Sequence, residues 1–369
     1  MKFLVLAASP KSLVNFRGPL LKLIRSKGWD VKAMASNASE QELRNIKELG
    51  IDYEDCPINR SGMSIVEDLK TLLFFRRAIK LFRPDCILAY TIKPIIWGGI
   101  ASRLYKGVSF NAMITGLGYG FQKGGVVKNI FTSMLKLLYR IALRNSNAVI
   151  FQNVDNMQYF ISQGIVSESK CYLVNGSGVD LDYFEKSSVT NEPNFLMIAR
   201  LLKDKGVFEY IDAAKRVKKE YPKAQFSLLG PPDKSPNGID INEIKNASQL
   251  GYINYLGSAL DVRPYLKNAN IFVLPSYHEG LPRTVLEAMA MGRPVLTTNV
   301  PGCKDTVEQG CNGWLVEKQD STMLAERMIW FLENPDKWES MGNHSFQSVV
   351  SKYDVNKVNV EMLKIMEVK

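Results

Sequence analysis

Short apolar runs alternate with segments of helical spacing along most of the chain, and this alternation restricts the fold more than any other feature of the sequence. Residues 2–8 (KFLVLAA) have the length of a buried strand, and residues 19–27 (PLLKLIRSK) have helical spacing. Gly28 ends that helix before a second strand at residues 29–34. Strand, helix and strand in succession are typical of a parallel sheet. The sequence therefore predicts an α/β protein. Further strands are expected at residues 86–89, 109–114 and 148–152.

A polar, broken stretch at residues 188–193 (SVTNEP) separates this series from a second one of the same kind. The simplest account is two Rossmann-like, doubly wound domains that face each other across a ligand-binding cleft. We expect the domains at residues 1–186 and 187–345, with residues 346–369 forming a C-terminal helix that crosses back to the first domain. The second series has predicted strands at residues 195–198, 225–229, 271–274 and 295–299, and predicted helices at residues 207–219 and 283–291.

Composition excludes several classes of protein. The 369 residues are 46% hydrophobic and 23% charged, which is ordinary for a folded enzyme and not for a disordered chain. No apolar run approaches the ~18 residues that a membrane-spanning helix needs, and residues 1–10 lack the pattern of a signal peptide. The five cysteines form no C-x-x-C pair and there are only two histidines, so neither a zinc site nor a disulfide framework is predicted. The protein is expected to stay in the cytosol.

The positive charge lies entirely in the first half. Residues 1–186 contain 25 Lys and Arg against 15 Asp and Glu, whereas residues 187–369 contain 22 of each. No acidic residue occurs between Asp85 and Asp155. A positive field of this kind attracts an anionic surface or ligand. Eight basic residues lie in that interval: Lys93, Arg103, Lys106, Lys123, Lys128, Lys136, Arg140 and Arg144.

Two carboxylates stand out at residues 272–292 (FVLPSYHEGLPRTVLEAMAMG), where a strand, a tight loop and a helix follow one another. Glu279 and Glu287 are eight residues apart, or about 12 Å in a helix, which is too far for an acid/base pair. They suit hydroxyl groups at the two ends of a nucleotide sugar, with the backbone N–H groups of Gly280 and Leu281 and the helix N-terminus meeting a diphosphate between them. The alternative is a capped helix with acidic residues near its start.

Two cations follow the predicted strand at residues 195–198, in residues 198–206 (IARLLKDKG). Arg200 supplies a planar fork and Lys205 a point charge, and both suit a diphosphate leaving group. Neutralising that group stabilises the charge that develops when a sugar–phosphate bond breaks. The alternative is a solvated basic loop.

These segments resemble the retaining glycosyltransferases of family four, which have the GT-B fold. The resemblance rests on residues 279–302 (EGLPRTVLEAMAMGRPVLTTNVPG), residues 199–206 (ARLLKDKG) and residues 312–316 (NGWLV). It implies that Glu279 and Glu287 form the family's E-x7-E signature, with Glu279 holding the donor sugar and Glu287 the ribose. It also implies that Arg200 and Lys205 bind the diphosphate, and that Tyr255 and Gly230 lie near the nucleobase. No cofactor and no metal are expected beside a UDP-sugar donor.

The first half resembles the bacterial subgroup that extends polyprenyl-diphosphate-linked glycans of capsule, O-antigen and protein glycosylation. The resemblance rests on residues 15–17, 90–94, 115–119 and 175–180. It implies acceptor contacts from Asn15, Arg17, Lys93 and Tyr119 and donor contacts from Thr115 and Gly116. One departure is that the histidine many members place near the donor sugar is missing, since both histidines lie in the second half.

Two weaker sequence patterns are not assigned a catalytic or binding role. Gly116-x-Gly118 lacks the spacing and the acidic residue of a dinucleotide fingerprint, which disfavours hydride transfer. Asp180 and Asp182 have the spacing of a metal-binding acidic pair, but they lie just before the polar stretch and away from the phosphate motifs. We expect a capped turn there.

Residues 127–144 (VKNIFTSMLKLLYRIALR) predict a basic amphipathic helix, and residues 68–83 are similar. Such helices can lie on an anionic membrane surface, although a domain helix with one buried face would show the same pattern. No RNA-binding motif accompanies the cations, so no nucleic-acid partner is expected.

The residues and the resemblance together predict a retaining, metal-independent glycosyltransferase at the inner face of the cell membrane. It would move a hexose or N-acetylhexosamine from a UDP-sugar to a polyprenyl-diphosphate-linked glycan. A nucleotide-sugar epimerase of similar architecture and a non-catalytic sugar-nucleotide sensor remain alternatives.

Overall fold

A computed structural model describes residues 1–59, 64–117, 121, 125–190 and 192–368. The chain divides into two compact units, one formed by Met1–Ser177 together with Asn356–Lys369 and the other by Gly178–Val355. We call them the first and second units. Each is described by itself below.

The described residues of the first unit contain a seven-stranded parallel sheet in the order β3-β2-β1-β4-β5-β6-β7. Strands β1 and β4 are neighbours at the centre, and the strand numbers increase from these two toward both edges of the sheet. The strands are β1 (Lys2–Leu6), β2 (Asp30–Ala35), β3 (Asp52–Asp55), β4 (Cys86–Tyr90), β5 (Ser109–Ile114), β6 (Ala148–Phe151) and β7 (Cys171–Leu173). The helices between them are α1 (Pro10–Ser26), α2 (Glu40–Glu48), α3 (Ile65–Phe82), α4 (Ile92–Ser102), α5 (Val126–Leu143) and α6 (Val154–Ser162).

Helices cover both faces of this sheet, so its central strands are buried on both sides, as parallel strands normally are. One face packs against α1, α2 and the end of the chain, where Val358, Met362 and Leu363 join the same core as Phe3 and Val5. The other face packs against α3, α4, α5 and α6. The last helix of the chain therefore supplies part of the first unit's core.

The described part of the second unit contains a six-stranded parallel sheet in the order β10-β9-β8-β11-β12-β13. Its central neighbours are β8 and β11, and the strand numbers again increase from these two toward both edges, so the strand order reverses between them. The strands are β8 (Asn194–Ile198), β9 (Gln225–Leu229), β10 (Asn254–Tyr255), β11 (Ile271–Leu274), β12 (Val295–Thr298) and β13 (Gly313–Val316). The helices from this point to the end of the chain are α7 (Val207–Glu220), α8 (Ile241–Gln249), α9 (Arg263–Lys267), α10 (Arg283–Ala290), α11 (Ser321–Glu333), α12 (Lys337–Ser348) and α13 (Val355–Ile365).

The α/β class and the two Rossmann-like sheets predicted from the sequence are confirmed. The first helix is longer than predicted: α1 begins at Pro10 and continues through Pro19, which lies inside the helix. The prediction started the helix at residue 19, because proline usually occupies the first turn and disrupts a helix interior. Pro10 takes the favourable first-turn position here.

The structural division falls at Ser177 and Gly178, whereas the sequence placed it at residues 186 and 187. The segment in between belongs to the second unit because Val179 and Phe184 are buried in its core. Val179 also pairs with Asp354 in a parallel bridge, which holds the start of the second unit beside its end. A polar, turn-rich stretch thus marks a break in regular structure and not a break in packing.

None of the helices within the described residues has the length and hydropathy needed to span a lipid bilayer.

Candidate functional site

The candidate site of the second unit lies where β8 and β11 end. Loops at the carboxyl ends of parallel strands meet at one edge of the sheet, and ligands bind where the strand order reverses. Here the loop at residues 199–206 follows β8, and the loop at residues 275–282 follows β11. The residues that the sequence assigned to a diphosphate and to a sugar lie on these two neighbouring loops.

Lys205 and Glu279 form an ion pair at this edge. Lys205 Nζ lies 2.6 Å from Glu279 Oε1, and the hydroxyl of Ser276 donates to the same oxygen at 2.8 Å. The Lys205 and Glu279 side chains are 18% and 15% exposed, so the pair is partly shielded from water. The sequence assigned these two residues to adjoining parts of one ligand, and the fold brings them together across 74 positions of chain.

Two glycines allow close backbone approach at this edge, Gly206 between the loops after β8 and β11 and Gly302 between the loops after β12 and β11. Gly206 has a φ of +74°, and a Cβ added there would lie 2.1 Å from the carbonyl oxygen of Pro275. Gly302 has a φ of +82°, and its Cβ would lie 2.3 Å from the carbonyl oxygen of Gly280. A side chain at either position would force the backbones apart. Neither glycine was assigned a role from the sequence, although both lie in the segments that carry the resemblance.

A second contact joins the same loops. His278 Nε2 lies 3.2 Å from Asp204 Oδ2, and the backbone N–H of Tyr277 donates to the Asp204 carbonyl at 2.8 Å. Burial alone would raise the pKa of Asp204, but the His278 hydrogen bond and the charges of Lys205 and Arg200 outweigh it and lower that pKa. Sequence reasoning missed this pair, because nothing in the sequence links positions 204 and 278.

Arg200 is paired with a carboxylate in the neighbouring loop after β9. Arg200 Nη1 lies 2.7 Å from Asp233 Oδ2, and the Arg200 side chain is 56% exposed. Burial would raise the pKa of Asp233, but hydrogen bonds from Ser235 and the charge of Arg200 lower it. The cation that the sequence assigned to a diphosphate thus has a carboxylate partner in its own unit. Asp233 was not predicted from the sequence.

Gly230 lies where the loop after β9 begins. A Cβ on Gly230 would lie 1.7 Å from the Ala199 carbonyl oxygen, so only glycine fits beside the Arg200 loop. The hydroxyl of Tyr255 donates to the Gly230 carbonyl at 3.0 Å. The structure therefore brings together the two residues that the resemblance placed near a nucleobase.

Glu287 lies in α10 and pairs with a residue of its own helix. Arg283 Nε donates to Glu287 Oε1 at 2.9 Å, and the Glu287 side chain is 12% exposed. Burial raises the pKa of Glu287, and the neighbouring Arg283 only partly offsets that effect. Gly280 is buried and Leu281 is half-buried in the loop that leads into α10. The assigned roles of these residues at the ribose and the diphosphate stay predictions.

The acceptor residues predicted for the first unit have mixed surroundings. Lys93, near the start of α4, forms an ion pair of 2.8 Å with Asp68 of α3. Arg17 is 3% exposed and packs over the ring of Tyr90 at 5.3 Å from its centre, so its guanidinium is an interior group and not a surface one. Asn15 is exposed. Tyr119 lies outside the described residues.

The carboxyl edge of the first sheet holds an open cavity and a strained residue. The cavity has a volume of about 670 Å³, and the residues that line it follow β1, β2 and β3 and include Ser9, Ser36 and Asn37. Beside β4, Thr91 has a φ of +68°, which is rare for a β-branched residue. Its hydroxyl is buried without a hydrogen-bond partner among the described residues. Thr115 and Gly116 follow β5 at this edge and are half-buried.

Asp180 and Asp182 form the capped turn expected from the sequence. Asp180 Oδ1 accepts hydrogen bonds from the backbone N–H groups of Asp182 and Tyr183 at 3.0 and 3.1 Å. Within the part of the chain that the structure describes, no three His, Cys, Asp or Glu side chains are grouped as a metal ion would require. Metal independence stays a prediction.

Two family models match the chain and between them reach into both units. The model for glycosyl transferase 4-like proteins matches residues 5–153, and the model for glycosyl transferases group 1 matches residues 180–347. The second match contains all of the loops that form the Lys205–Glu279 pair.

Similar proteins are known in bacteria. An N,N'-diacetylbacillosaminyl-diphospho-undecaprenol alpha-1,3-N-acetylgalactosaminyltransferase of Campylobacter jejuni is 25% identical, over 100% of this chain and 98% of that protein. A UDP-Gal:alpha-D-GlcNAc-diphosphoundecaprenol alpha-1,3-galactosyltransferase of Escherichia coli is 26% identical, over 73% of this chain and 71% of that protein. The solved structure of Anabaena HepE in complex with UDP-glucose covers 100% of both chains with a TM-score of 0.80 at 18% identity.

The resemblance predicted from the sequence is thereby confirmed. The chain belongs to the glycosyltransferases and has the GT-B fold. Its first half matches the glycosyl transferase 4-like family, and its second half matches glycosyl transferases group 1.

Proposed function

We propose that this glycosyltransferase moves a hexose or N-acetylhexosamine from a UDP-sugar to a polyprenyl-diphosphate-linked glycan, with retention of configuration. The observation that carries the proposal is the shielded Lys205–Glu279 pair, which lies at the strand edge where an α/β sheet binds ligands. A cation and a carboxylate held together there suit the junction between a diphosphate and a sugar.

The donor is proposed to span the two central loops of the second unit. Lys205 and Arg200 would neutralise the diphosphate, because cations aimed at a leaving group stabilise the charge that develops on it. Glu279 would accept hydrogen bonds from the sugar hydroxyls, and Glu287 from the ribose. The UDP identity is supported by the UDP-glucose bound to Anabaena HepE and by the UDP-Gal donor named for the Escherichia coli relative.

Donor binding requires an exchange of partners in this scheme. Arg200 must turn from Asp233 to the diphosphate, and Lys205 must share its charge between Glu279 and a phosphate oxygen. Because Arg200 is more than half exposed, its ion pair is weak and exchange costs little. Lys205 is better shielded and keeps Glu279 in place while the sugar binds.

The transfer step breaks the bond between the anomeric carbon and the phosphate oxygen and forms a bond to the acceptor oxygen on the same face of the sugar. The acceptor hydroxyl proton passes to the departing phosphate oxygen, so no side-chain base is required. Charge and atoms balance without a further reactant. Arg200 and Lys205 act on this step because the negative charge of the diphosphate increases as the bond breaks.

The acceptor is proposed to bind the first unit. Both bacterial relatives are named for diphospho-undecaprenol-linked sugars, which supports this acceptor class. The cavity at the carboxyl ends of β1, β2 and β3 has hydroxyl and amide groups in its lining, as a glycan site needs. Because this acceptor is lipid-anchored, we propose that the reaction takes place at the inner face of the cell membrane.

A matrix of UDP-sugars against synthetic polyprenyl-diphosphate glycans, read by mass spectrometry, tests the proposal. One donor and acceptor pair should give a product heavier by one sugar residue, and NMR of that product should show the anomeric configuration of the donor. An inverted product would overturn the retaining mechanism. Sugar interconversion without acceptor would favour the epimerase alternative, and nucleotide-sugar binding without turnover would favour the sensor.

A further inference from the structure

Helix α5 carries two separate apolar stripes. Leu135, Tyr139, Ala142 and Leu143 are at most 4% exposed and pack toward the sheet. On this side α4 packs closely against α5, since a Cβ on Gly99 would lie 2.7 Å from the carbonyl oxygen of Ala142. With this side of α5 packed inside the unit, the second stripe lies on the other side of the helix.

The second stripe faces solvent. Ile130 is 66% exposed, Met134 42%, Leu137 51% and Ile141 37%, and they follow one another at spacings of four, three and four residues. Such spacing puts them on one side of a helix, over a length of about 16 Å. Single exposed apolar residues are ordinary, but a continuous stripe indicates a surface that something else covers. We call these four residues the exposed stripe.

Four cations surround a cavity at the C-terminal end of the exposed stripe. Arg103, Arg140, Arg144 and Lys170 line this cavity, whose volume is about 680 Å³. Arg103, Arg140 and Lys170 donate hydrogen bonds to backbone carbonyls. In the described ranges no carboxylate forms an ion pair with any of the four, Glu168 included. The cavity therefore keeps a strong positive field that suits phosphate groups.

The cavity lies at the amino edge of the first sheet. Arg103 precedes β5, Arg144 precedes β6 and Lys170 precedes β7. The predicted ligand residues Thr115 and Gly116 follow β5 and so lie at the opposite edge. The cationic cavity is thus a different place from the candidate acceptor site, and the exposed stripe runs along α5 between the two edges.

We propose that the exposed stripe and the cationic cavity together form a docking face for a bilayer that contains anionic phospholipid. The apolar side chains enter the boundary between head groups and acyl chains, and the arginines bind lipid phosphates. A second copy of the chain fits less well, because two-fold pairing of this face would bring its cations against one another. The membrane's role as the source of the acceptor rests on the proposed function, but the docking itself does not.

Flotation of the full chain with vesicles tests the proposal. Vesicles of phosphatidylglycerol and phosphatidylcholine should carry the protein, and vesicles of phosphatidylcholine alone should carry much less. Raising the salt concentration should weaken the binding, because it screens the cations. Ile130→Gln/Leu137→Gln should weaken binding to both kinds of vesicle. Arg103→Gln/Arg144→Gln should weaken binding to the anionic vesicles about thirtyfold, from the value typical of two basic residues at such a surface.

A matched control changes one exposed apolar residue and one exposed cation of the second unit, Leu260→Gln/Lys223→Gln. It should bind vesicles like the original protein. Circular dichroism and the unfolding midpoint establish that every variant is folded. Equal binding by the original protein and both docking-face variants would overturn the proposal. So would a dimer in sedimentation velocity that the stripe variant abolishes, since a second copy would then cover the face.

Transfer to a short-chain, water-soluble acceptor in the absence of vesicles separates this proposal from the proposed function. The docking-face variants should keep that activity. Vesicle binding without any transfer would refute the proposed function and leave the docking face standing, whereas transfer with no vesicle binding would refute the docking face alone.

Discussion

Replacing Lys205 with Met separates the catalytic role of this residue from its structural role. The substitution removes the charge 2.6 Å from Glu279 and leaves a buried carboxylate without its closest cation. Unit charges about 4 Å apart attract by roughly 4 kcal/mol at an effective dielectric constant near 20, and the cost of desolvating both groups cancels most of this. Because Ser276 still donates to Glu279, we expect the free energy of unfolding to fall by about 1–3 kcal/mol.

The effect on turnover should be larger and should have a different cause. Loss of one group that stabilises a developing negative charge typically lowers kcat by about 10²–10³-fold. Adding Glu279→Gln to Lys205→Met removes the unpaired charge and should restore most of the stability. It should not restore turnover, because no cation returns to the diphosphate.

The assay is a double-mutant cycle with denaturant unfolding and transfer kinetics measured on the same four proteins. Stability should recover in the double variant while kcat stays low. If Lys205→Met lowers kcat in the original protein but not in the Glu279→Gln background, Lys205 acts only by holding Glu279, and the leaving-group role assigned to it is refuted. Lys203→Met serves as the control, since it removes an exposed cation two residues away.

Three further changes test other parts of the structure. Asp233→Asn frees Arg200 from its carboxylate partner and should tighten UDP binding about two- to fivefold by calorimetry at low salt; weaker binding would show that Asp233 positions Arg200 for the diphosphate. Thr91→Gly relieves a positive φ and should raise the free energy of unfolding by about 1 kcal/mol while it lowers the rate of transfer. A gain in both stability and transfer would contradict a role for Thr91 at the acceptor edge. Because folding lowers the pKa of Asp204, its stabilising effect is complete at neutral pH and is lost as the pH falls below the ordinary carboxyl value of about 4. In a plot of the unfolding midpoint against pH, Asp204→Asn should therefore reduce the fall of the midpoint at acid pH. An unchanged fall would refute the importance of the His278 contact.

The sequence was sufficient to predict the two sheets and the strand ends on which Lys205 and Glu279 lie. Apolar runs bounded by turn residues located the central strands, and the short spacing of Arg200 and Lys205 after β8 identified both cations. Glu279 was predicted from its place after β11. The positions of these residues were predictable because a parallel sheet brings the ends of its neighbouring strands together. Their roles at a ligand stay predictions.

Contacts between distant loops were not predictable. Asp233 faces Arg200, and His278 faces Asp204, across 33 and 74 residues of chain, and the sequence holds no signal for either pairing. The burial of Arg17 was missed for a related reason, because an arginine usually lies at the surface and only the packing around Tyr90 shows otherwise.

The orientation of α5 was also beyond the sequence. Its two apolar stripes interleave at helical spacing, so periodicity predicts a helix without showing which stripe is buried. The stripe of Ile130, Met134, Leu137 and Ile141 contains most of the residues that suggested an amphipathic helix, yet it is the other stripe that packs inside. The packed structure, in which Gly99 of α4 lies close to Ala142, shows which stripe is buried.

The return of the chain's end to the first unit has a consequence for biosynthesis. The second unit is one uninterrupted stretch, Gly178–Val355, and it can finish folding as soon as that stretch has left the ribosome. Most of the first unit is translated earlier, but it lacks Val358, Met362 and Leu363 until the chain has grown past the second unit. The usual order of domain maturation, from the amino terminus onward, is therefore reversed at the final step. A released chain truncated after residue 355 would hold a complete second unit and a first unit with part of its interior open to water.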